Sequence, residues 1–525
     1  MTDTLGDLVA CDDILMFANA AVTATGARDF HDDAATRALS LDFLHEYMRV
    51  NYRRLYAASL ALDVNDHNAG LMIAGLLATR PDGEAHPDET ALIMAALRRM
   101  TPPRVYRLFR RLRGSRVNNR RTRAVIRDWL AGRPLALDAV KYRTGLKVAV
   151  RHAHLSLPEE LARFLFGDHR RPFTDPLLND WWRAHYDQRA IYRLPFTVAE
   201  GFAARHGIPR DRFLAGIEDR LTGLERLRLR DTRTRHGLSN ADLSQAPLQR
   251  ICAYVLSLTT AQRRDRRAEL SSALRTAAAR IVAGRRLPGT VVAVLDDSYS
   301  SLGSPQRRNR PLAVALAAHH ILAAWAEDYR GLWLSRSRDP LLVTPRGASG
   351  IGGRVIDALE LRPDHLIIVS DGWDNSPPGL AKAVLGAWRR RIDVARQTAV
   401  VHLNPGYDPR RYDVRRLADG VPTIGIRDAA DIPALVELAG FAEGRRGMAE
   451  LHAHLDLRVA RLLGRGHDDR SAALPPPRTT RPDGRARPDL GHRPHGPAAA
   501  GETRSPDPAV PSRTRRTLGR GLLRR

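Results

Sequence analysis

Thr290-Val291-Val292-Ala293-Val294-Leu295, followed at once by Asp296-Asp297-Ser298-Tyr299-Ser300, is the stretch on which the fold of the C-terminal half turns. Six apolar and β-branched residues make a short strand buried on both faces. The abrupt switch to carboxylates and hydroxyls places polar side chains above the carboxyl end of that strand. A hard divalent cation such as Mg²⁺ takes oxygen ligands in octahedral array and keeps several waters. Asp296, Ser298 and Ser300 on alternate residues of a tight loop supply one carboxylate and two hydroxyls without neutralising the ion.

Working outward, further β-rich runs follow at 331–335 (GLWLS), 365–370 (HLIIVS), 398–404 (TAVVHLN) and 422–428 (PTIGIRD). Helical periodicity lies between them at 308–328, 377–391 and 432–441. Strands alternating with helices predict a mostly parallel, doubly wound α/β domain over 288–443, with ligand loops at the strands' carboxyl ends. Two more loops are expected at the same point. Asp371 follows the run ending at Ser370, and Ser349 opens a helix after Arg346-Gly347-Ala348, with Thr344 the weaker choice for the hydroxyl. This three-part pattern resembles the metal-ion-dependent adhesion site of von Willebrand factor A (vWA) domains. That resemblance implies a Rossmann-like vWA domain in which Asp296, Ser298, Ser300, Ser349 and Asp371 hold Mg²⁺ or another divalent cation. Ser349 stands where the family has Thr and keeps the hydroxyl.

Upstream, residues 10–285 read as helix almost throughout. LDFLHEYMRVNYRRLYAASLAL (41–62) and ETALIMAALRRM (89–100) repeat apolar residues at three- and four-residue spacing, with short breaks at 80–83, 101–103 and 131–134. Helices of this length joined by short turns predict an all-α repeat array in which each pair buries its face on the next. No clean repeat period is present. Residues 444–464 read as one more helix. From 465 to 525 the chain has ten prolines and fourteen arginines against six acids, a net charge of +8, and is expected to be a disordered basic tail.

The 525 residues carry a net charge of +26, and all but three of the 84 basic residues are arginine. Such a surface implies a polyanionic partner. Two cysteines, Cys11 and Cys252, exclude a disulfide framework and a CxxC zinc site. The opening residues carry no signal-peptide pattern and no apolar run reaches the ~18 residues of a membrane span. A cytoplasmic, non-membrane protein is the expectation. GASGIGG (347–353) is not followed by Lys-Ser/Thr and is no P-loop. His152 and His154, like His452 and His454, are spaced i, i+2 and do not share a helical face, so exposed histidines rather than metal pairs are expected. Neither a Gly-x-Ser-x-Gly elbow nor HExxH occurs, which leaves a hydrolase unsupported.

Two of the three lysines fall in AVKYRTGLKVAVRHAHLSLP (139–158). On a helix, Lys147, Arg151 and His154 form one stripe beside an apolar stripe of Leu146, Val150 and Ala153. Arg104/Arg107/Arg111 and Arg116/Arg120/Arg123/Arg127 make two further basic stripes for phosphate contact. The wording Val140-Lys141-Tyr142-Arg143, then a basic helix ending Arg151-His152-Ala153-His154-Leu155, is similar to the TROVE module of Ro autoantigen-type proteins. It is about four residues shorter than the family's segment and lacks the Asn-Gly-Trp-Ser turn. The resemblance implies a ring of HEAT-like helical repeats closed by a vWA domain. It also implies a non-enzymatic protein that binds small noncoding, Y-RNA-like RNA through Lys141, Lys147, Arg151 and His154 with Arg120 and Arg123, and takes up 3′ ends of misfolded RNA. An RNA-processing enzyme or another protein would meet the metal site. The rival reading is a vWA adaptor of a MoxR-type ATPase in protein remodelling or metal insertion, with the helices binding protein.

Overall fold

The computed structural model of the chain describes residues 5–27, 34–62, 64–81, 85–235, 242–432 and 448–465. Through residue 282 its regular elements are all helices. Two stacked rows account for the early part. In one row, Ala34–Asn51 packs on Asp66–Ala78, which packs on Pro102–Gly114. In the other, Arg53–Ala58 packs on Glu89–Arg99, which packs on Arg120–Ala131. Helix Arg143–Ala153 lies against the ends of both rows. The reason is visible in each helix. Pro102–Gly114 starts on two prolines, whose missing N–H is no loss in the first turn. It buries Val105, Tyr106, Leu108, Phe109 and Leu112 at helical spacing and leaves its arginines outward.

The expected single basic helix over 139–158 is two helices, Leu135–Lys141 and Arg143–Ala153, broken at Tyr142. Gly145 explains how the second comes so close to its neighbour, since a Cβ there would sit 2.7 Å from the Tyr106 side chain. A buried network holds the first. Asp138 accepts from Tyr106 Oη at 2.7 Å and from Arg133 through two bonds of 2.8 and 2.7 Å.

In the α/β part, β1 (Leu287–Leu295), β2 (Ala326–Trp333), β3 (His365–Val369), β4 (Ala399–Asn404) and β5 (Thr423–Gly425) form one parallel sheet in the order β2-β1-β3-β4-β5. Side chains of β1 alternate between two cores. Val291, Ala293 and Leu295 face helices Arg310–Trp325, Leu248–Ser257 and Arg267–Val282, while Val292 and Val294 face Ile351–Glu360 and Leu380–Arg391. β2 begins five residues before the expected start at 331, taking in Glu327, Asp328 and Arg330. It is an edge strand, where charged residues are tolerated and hide the β pattern. A small hairpin, Gly303–Ser304 with Arg307–Arg308, follows the loop 296–300.

The helical series meets the sheet at both ends. At its close, Leu248–Ser257 and Arg267–Val282 share the core of helix Arg310–Trp325. At its start, helix Leu5–Thr23 presents Asn19, which accepts from the Gly425 N–H of β5 at 2.8 Å and donates to Asp413 at 3.0 Å. Helix Met448–Leu462 then buries Leu451, Leu455 and Val459 in the first helical core. Residues 444–447 of the expected last helix, residues 433–441 of the helix expected at 432–441, and the tail beyond Arg465 lie outside the described residues. Among the described residues, no helix is long and apolar enough to cross a membrane.

Candidate metal centre and basic surface

The strand order reverses between β1 and β3, and a crevice at such a switch point lies above the carboxyl ends of the strands. Asp296 leaves β1 and Asp371 follows β3 by two residues, so the two carboxylates stand on adjacent strands. The Asp296 N–H still bonds to the Val369 carbonyl at 3.0 Å. The loop then folds over itself, with the Ser298 N–H donating to Asp296 Oδ1 at 2.8 Å. Ser300 Oγ lies 3.2 Å from Ser298 Oγ, and Ser349 Oγ donates to Ser298 Oγ at 2.9 Å. Asp296 and all three serines are buried, and Asp371 is half-buried. Thr344 makes no bond to this group; Ser349 supplies the third hydroxyl.

Asp297, given no role from sequence, positions the centre. Its carbonyl accepts from Arg346 N–H at 2.9 Å and its carboxylate from Ser335 N–H at 2.8 Å, which fastens the loop carrying Ser349. Its alternation with Asp296 was the available signal, since residue i+1 of a tight loop points away from residue i.

Burial raises the Asp296 carboxyl well above the usual carboxylate range, and the negative charge of Asp371 adds to the shift. Two carboxylates and three hydroxyls gathered above the ends of adjacent strands fit a hard cation, which would relieve the repulsion between the carboxylates. Among the described residues, no group of three or more His, Cys, Asp or Glu gathers about one point. This centre is defined by its hydroxyls instead.

The basic helix carries its chemistry differently. Lys147 and Arg151, one turn apart, both lie over the ring of Phe166, at 5.7 and 4.9 Å. Phe166 ends the next helix, Glu159–Phe166, and is 40% exposed. Burial lowers the Lys147 pKa, with Arg143 and Arg151 adding to the effect. Sequence reading missed Phe166, although an exposed aromatic closing a helix of apolar periodicity was a usable sign. Lys141 is half-buried, over Tyr142 at 5.8 Å.

His154 does not continue the stripe of Lys147 and Arg151. It caps the helix in left-handed conformation (φ 52°), and the next residue's N–H returns to the Val150 carbonyl at 3.1 Å. The expectation of an exposed His152 is corrected. Its side chain is buried, with Nε2 3.0 Å from the Val117 carbonyl, because it bridges to the loop ahead of helix Arg120–Ala131. Burial chiefly lowers its pKa, and the charges of Arg113, His154 and Arg123 contribute, which places these groups around one point. Arg120 is exposed and Arg123 half-buried in a first turn with no acidic residue, where the helix dipole favours an anion. Arg121 turns inward instead, to Glu89 at 2.6 Å.

Among the solved structures similar to the chain is one that is covered almost end to end. It is the crystal structure of the Deinococcus radiodurans RO (RSR) protein, 15% identical, with 82% of this chain and 99% of that chain covered and a TM-score of 0.46. No protein-family model and no curated protein matches the sequence.

Proposed function

We propose that the protein is a Ro-like, non-enzymatic RNA-binding protein acting in the cytoplasm in RNA quality control or ribonucleoprotein assembly. The observation that carries this reading is the convergence of Lys147 and Arg151 on the exposed ring of Phe166. Cations beside an accessible aromatic face combine phosphate attraction with base stacking, the two interactions that unpaired nucleotides in structured RNA offer. Lys141, and the Arg120/Arg123/His154 group at the other end of the same helix, extend the surface to a second phosphate run. In this reading a structured, Y-RNA-like RNA sits on the basic helices, and unpaired 3′ ends of misfolded RNA are a second ligand. The centre of Asp296, Ser298, Ser300, Ser349 and Asp371 holds Mg²⁺, where an RNA-processing enzyme or other protein adds a carboxylate.

The test is binding of a structured small RNA by the full chain across a salt series. Lys141→Glu with Arg151→Glu should weaken binding and reduce the log–log salt slope by about 0.7–0.9 per lost phosphate contact. Reversing two tail arginines, Arg478 and Arg487, should do much less. Equal effects from both pairs would overturn the reading and leave the helices free to bind protein, as in an ATPase adaptor.

A further inference from the structure

His402 sits in the middle of β4, between Ile368 of β3 and Thr423 of β5, and is completely buried. Its chain neighbours Val400, Val401 and Leu403 are the apolar residues expected of an inner strand. An imidazole in their company costs stability unless both ring nitrogens find partners. Here Nδ1 lies 3.2 Å from the Thr423 hydroxyl. Nε2 lies 2.9 Å from the Ser370 hydroxyl and 3.2 Å from the Ser370 carbonyl oxygen. A carbonyl can only accept, which assigns the proton to Nε2 and leaves Nδ1 to accept from Thr423. The Thr423 hydroxyl is nearer to that nitrogen than to the Val421 carbonyl, its other acceptor at 3.4 Å.

The partner that matters is Ser370, which stands between the end of β3 and Asp371. Its main chain is fixed by the sheet, since its N–H donates to the Leu403 carbonyl at 3.2 Å. Its hydroxyl accepts from the Gly372 N–H at 3.2 Å and so closes the turn that carries the Asp371 carboxylate. The turn is tightly fitted on its far side. Gly372 holds a left-handed φ of 79°, and a Cβ there would come 2.6 Å from the Arg415 carbonyl oxygen. Backbone pairing does not choose among the staggered positions of the Ser370 side chain, and the His402 ring supplies a contact that does.

We propose that His402 is a positioning residue for the cation centre: its ring holds the Ser370 hydroxyl onto the Gly372 N–H and thereby aims Asp371 at Asp296. The inference rests on the reading of Asp296, Ser298, Ser300, Ser349 and Asp371 as a Mg²⁺ site. It adds a group that is not itself a ligand and lies behind the centre on the neighbouring strand. Residues that orient metal ligands in this way are worth about 10–100-fold in metal affinity.

Calorimetric titration of the full chain with Mg²⁺, beside denaturant unfolding of the metal-free protein, separates this role from that of a core filler. His402→Leu keeps an apolar strand and should unfold much like the wild type, yet lose at least about ten-fold in Mg²⁺ affinity. His402→Gln, which keeps an N–H donor for Ser370, should retain more of the affinity than His402→Leu. Ser370→Ala should lose as much, and Ser370→Ala/His402→Leu no more than Ser370→Ala alone, because both changes act through one hydroxyl. Hydrogen exchange reads the positioning without the ion: the Gly372 amide should exchange faster in His402→Leu while the amides of β4 stay protected. Wild-type Mg²⁺ affinity in His402→Leu, additive losses in the double variant, or unchanged Gly372 exchange would overturn the proposal while leaving the cation reading in place. Failure of the wild-type chain to bind Mg²⁺ would remove the cation reading itself, and this inference with it.

Discussion

The loop after β1 and the basic helix both gather like charges, but by opposite means. At the end of β1 the carboxylates are driven together by the sheet. Adjacent parallel strands fix Asp296 beside the Asp371 loop, and buried hydroxyls close the space around them. On helix Arg143–Ala153 the cations are spread over a partly solvated face and meet only through the ring of Phe166. A cost of burial that the backbone imposes can be relieved only by a ligand taken inside the protein. A cost that solvent already screens leaves the charges available to a ligand outside it.

Removing Asp296 should produce the largest effect. Asp296→Ala is expected to abolish Mg²⁺ binding by calorimetry while leaving metal-free thermal stability unchanged or raised, because a buried carboxylate repelled by Asp371 is gone. Wild-type Mg²⁺ affinity in that variant would break the contrast, since the loop would then not be a cation centre.

Next in size is the support under the basic surface. Asp138 is fully buried and is the partner of both Arg133 and Tyr106. Asp138→Ala should cost about 3 kcal/mol in denaturant unfolding, since it strands a half-buried guanidinium and a buried phenol. A loss well under 1 kcal/mol would show that the helix bearing Lys141 does not depend on this network.

Phe166 sharpens the comparison from the other side. Phe166→Ala should weaken binding of single-stranded RNA by about 1–3 kcal/mol per stacked base, with Phe166→Trp retaining it. Unfolding should hardly change, because the ring is partly exposed. Unaltered RNA affinity in Phe166→Ala would reduce the ring to a cover for the two cations.

The smallest effect near neutrality is acid sensitivity. Burial pushes the pKa of His45 in the helical region, and of His319 and His402 in the α/β domain, down to about 4. A depressed folded pKa means the unfolded chain binds the proton first. The stability these groups carry is complete above 6.5, their ordinary value, and is lost as pH falls from there towards about 4. Melting temperature should fall over that window, and a flat profile would contradict the burial of these rings.

Much of this was legible from local pattern. Apolar periodicity of two kinds separated helices from strands, and the polar loop after Thr290–Leu295 marked the centre because a strand's end and its next residues are fixed by the chain itself. Local pattern failed where a neighbour from elsewhere set the outcome. β2 was hidden because an edge strand keeps its charges in water, and His152 turned inward because Val117 offered a carbonyl. Ser349 rather than Thr344 faces Ser298 because the loop is tied to Asp297. The pairing of Phe166 with Lys147 and Arg151 and the Asn19–Gly425 bond were decided by tertiary structure alone. The physical reason is one of range. Helix, strand and loop chemistry follow from residues within a few positions of one another, where backbone geometry sets the spacing. Which cation meets which ring, and which helix meets the sheet edge, depends on packing between segments up to four hundred residues apart, where shape and burial choose the partner.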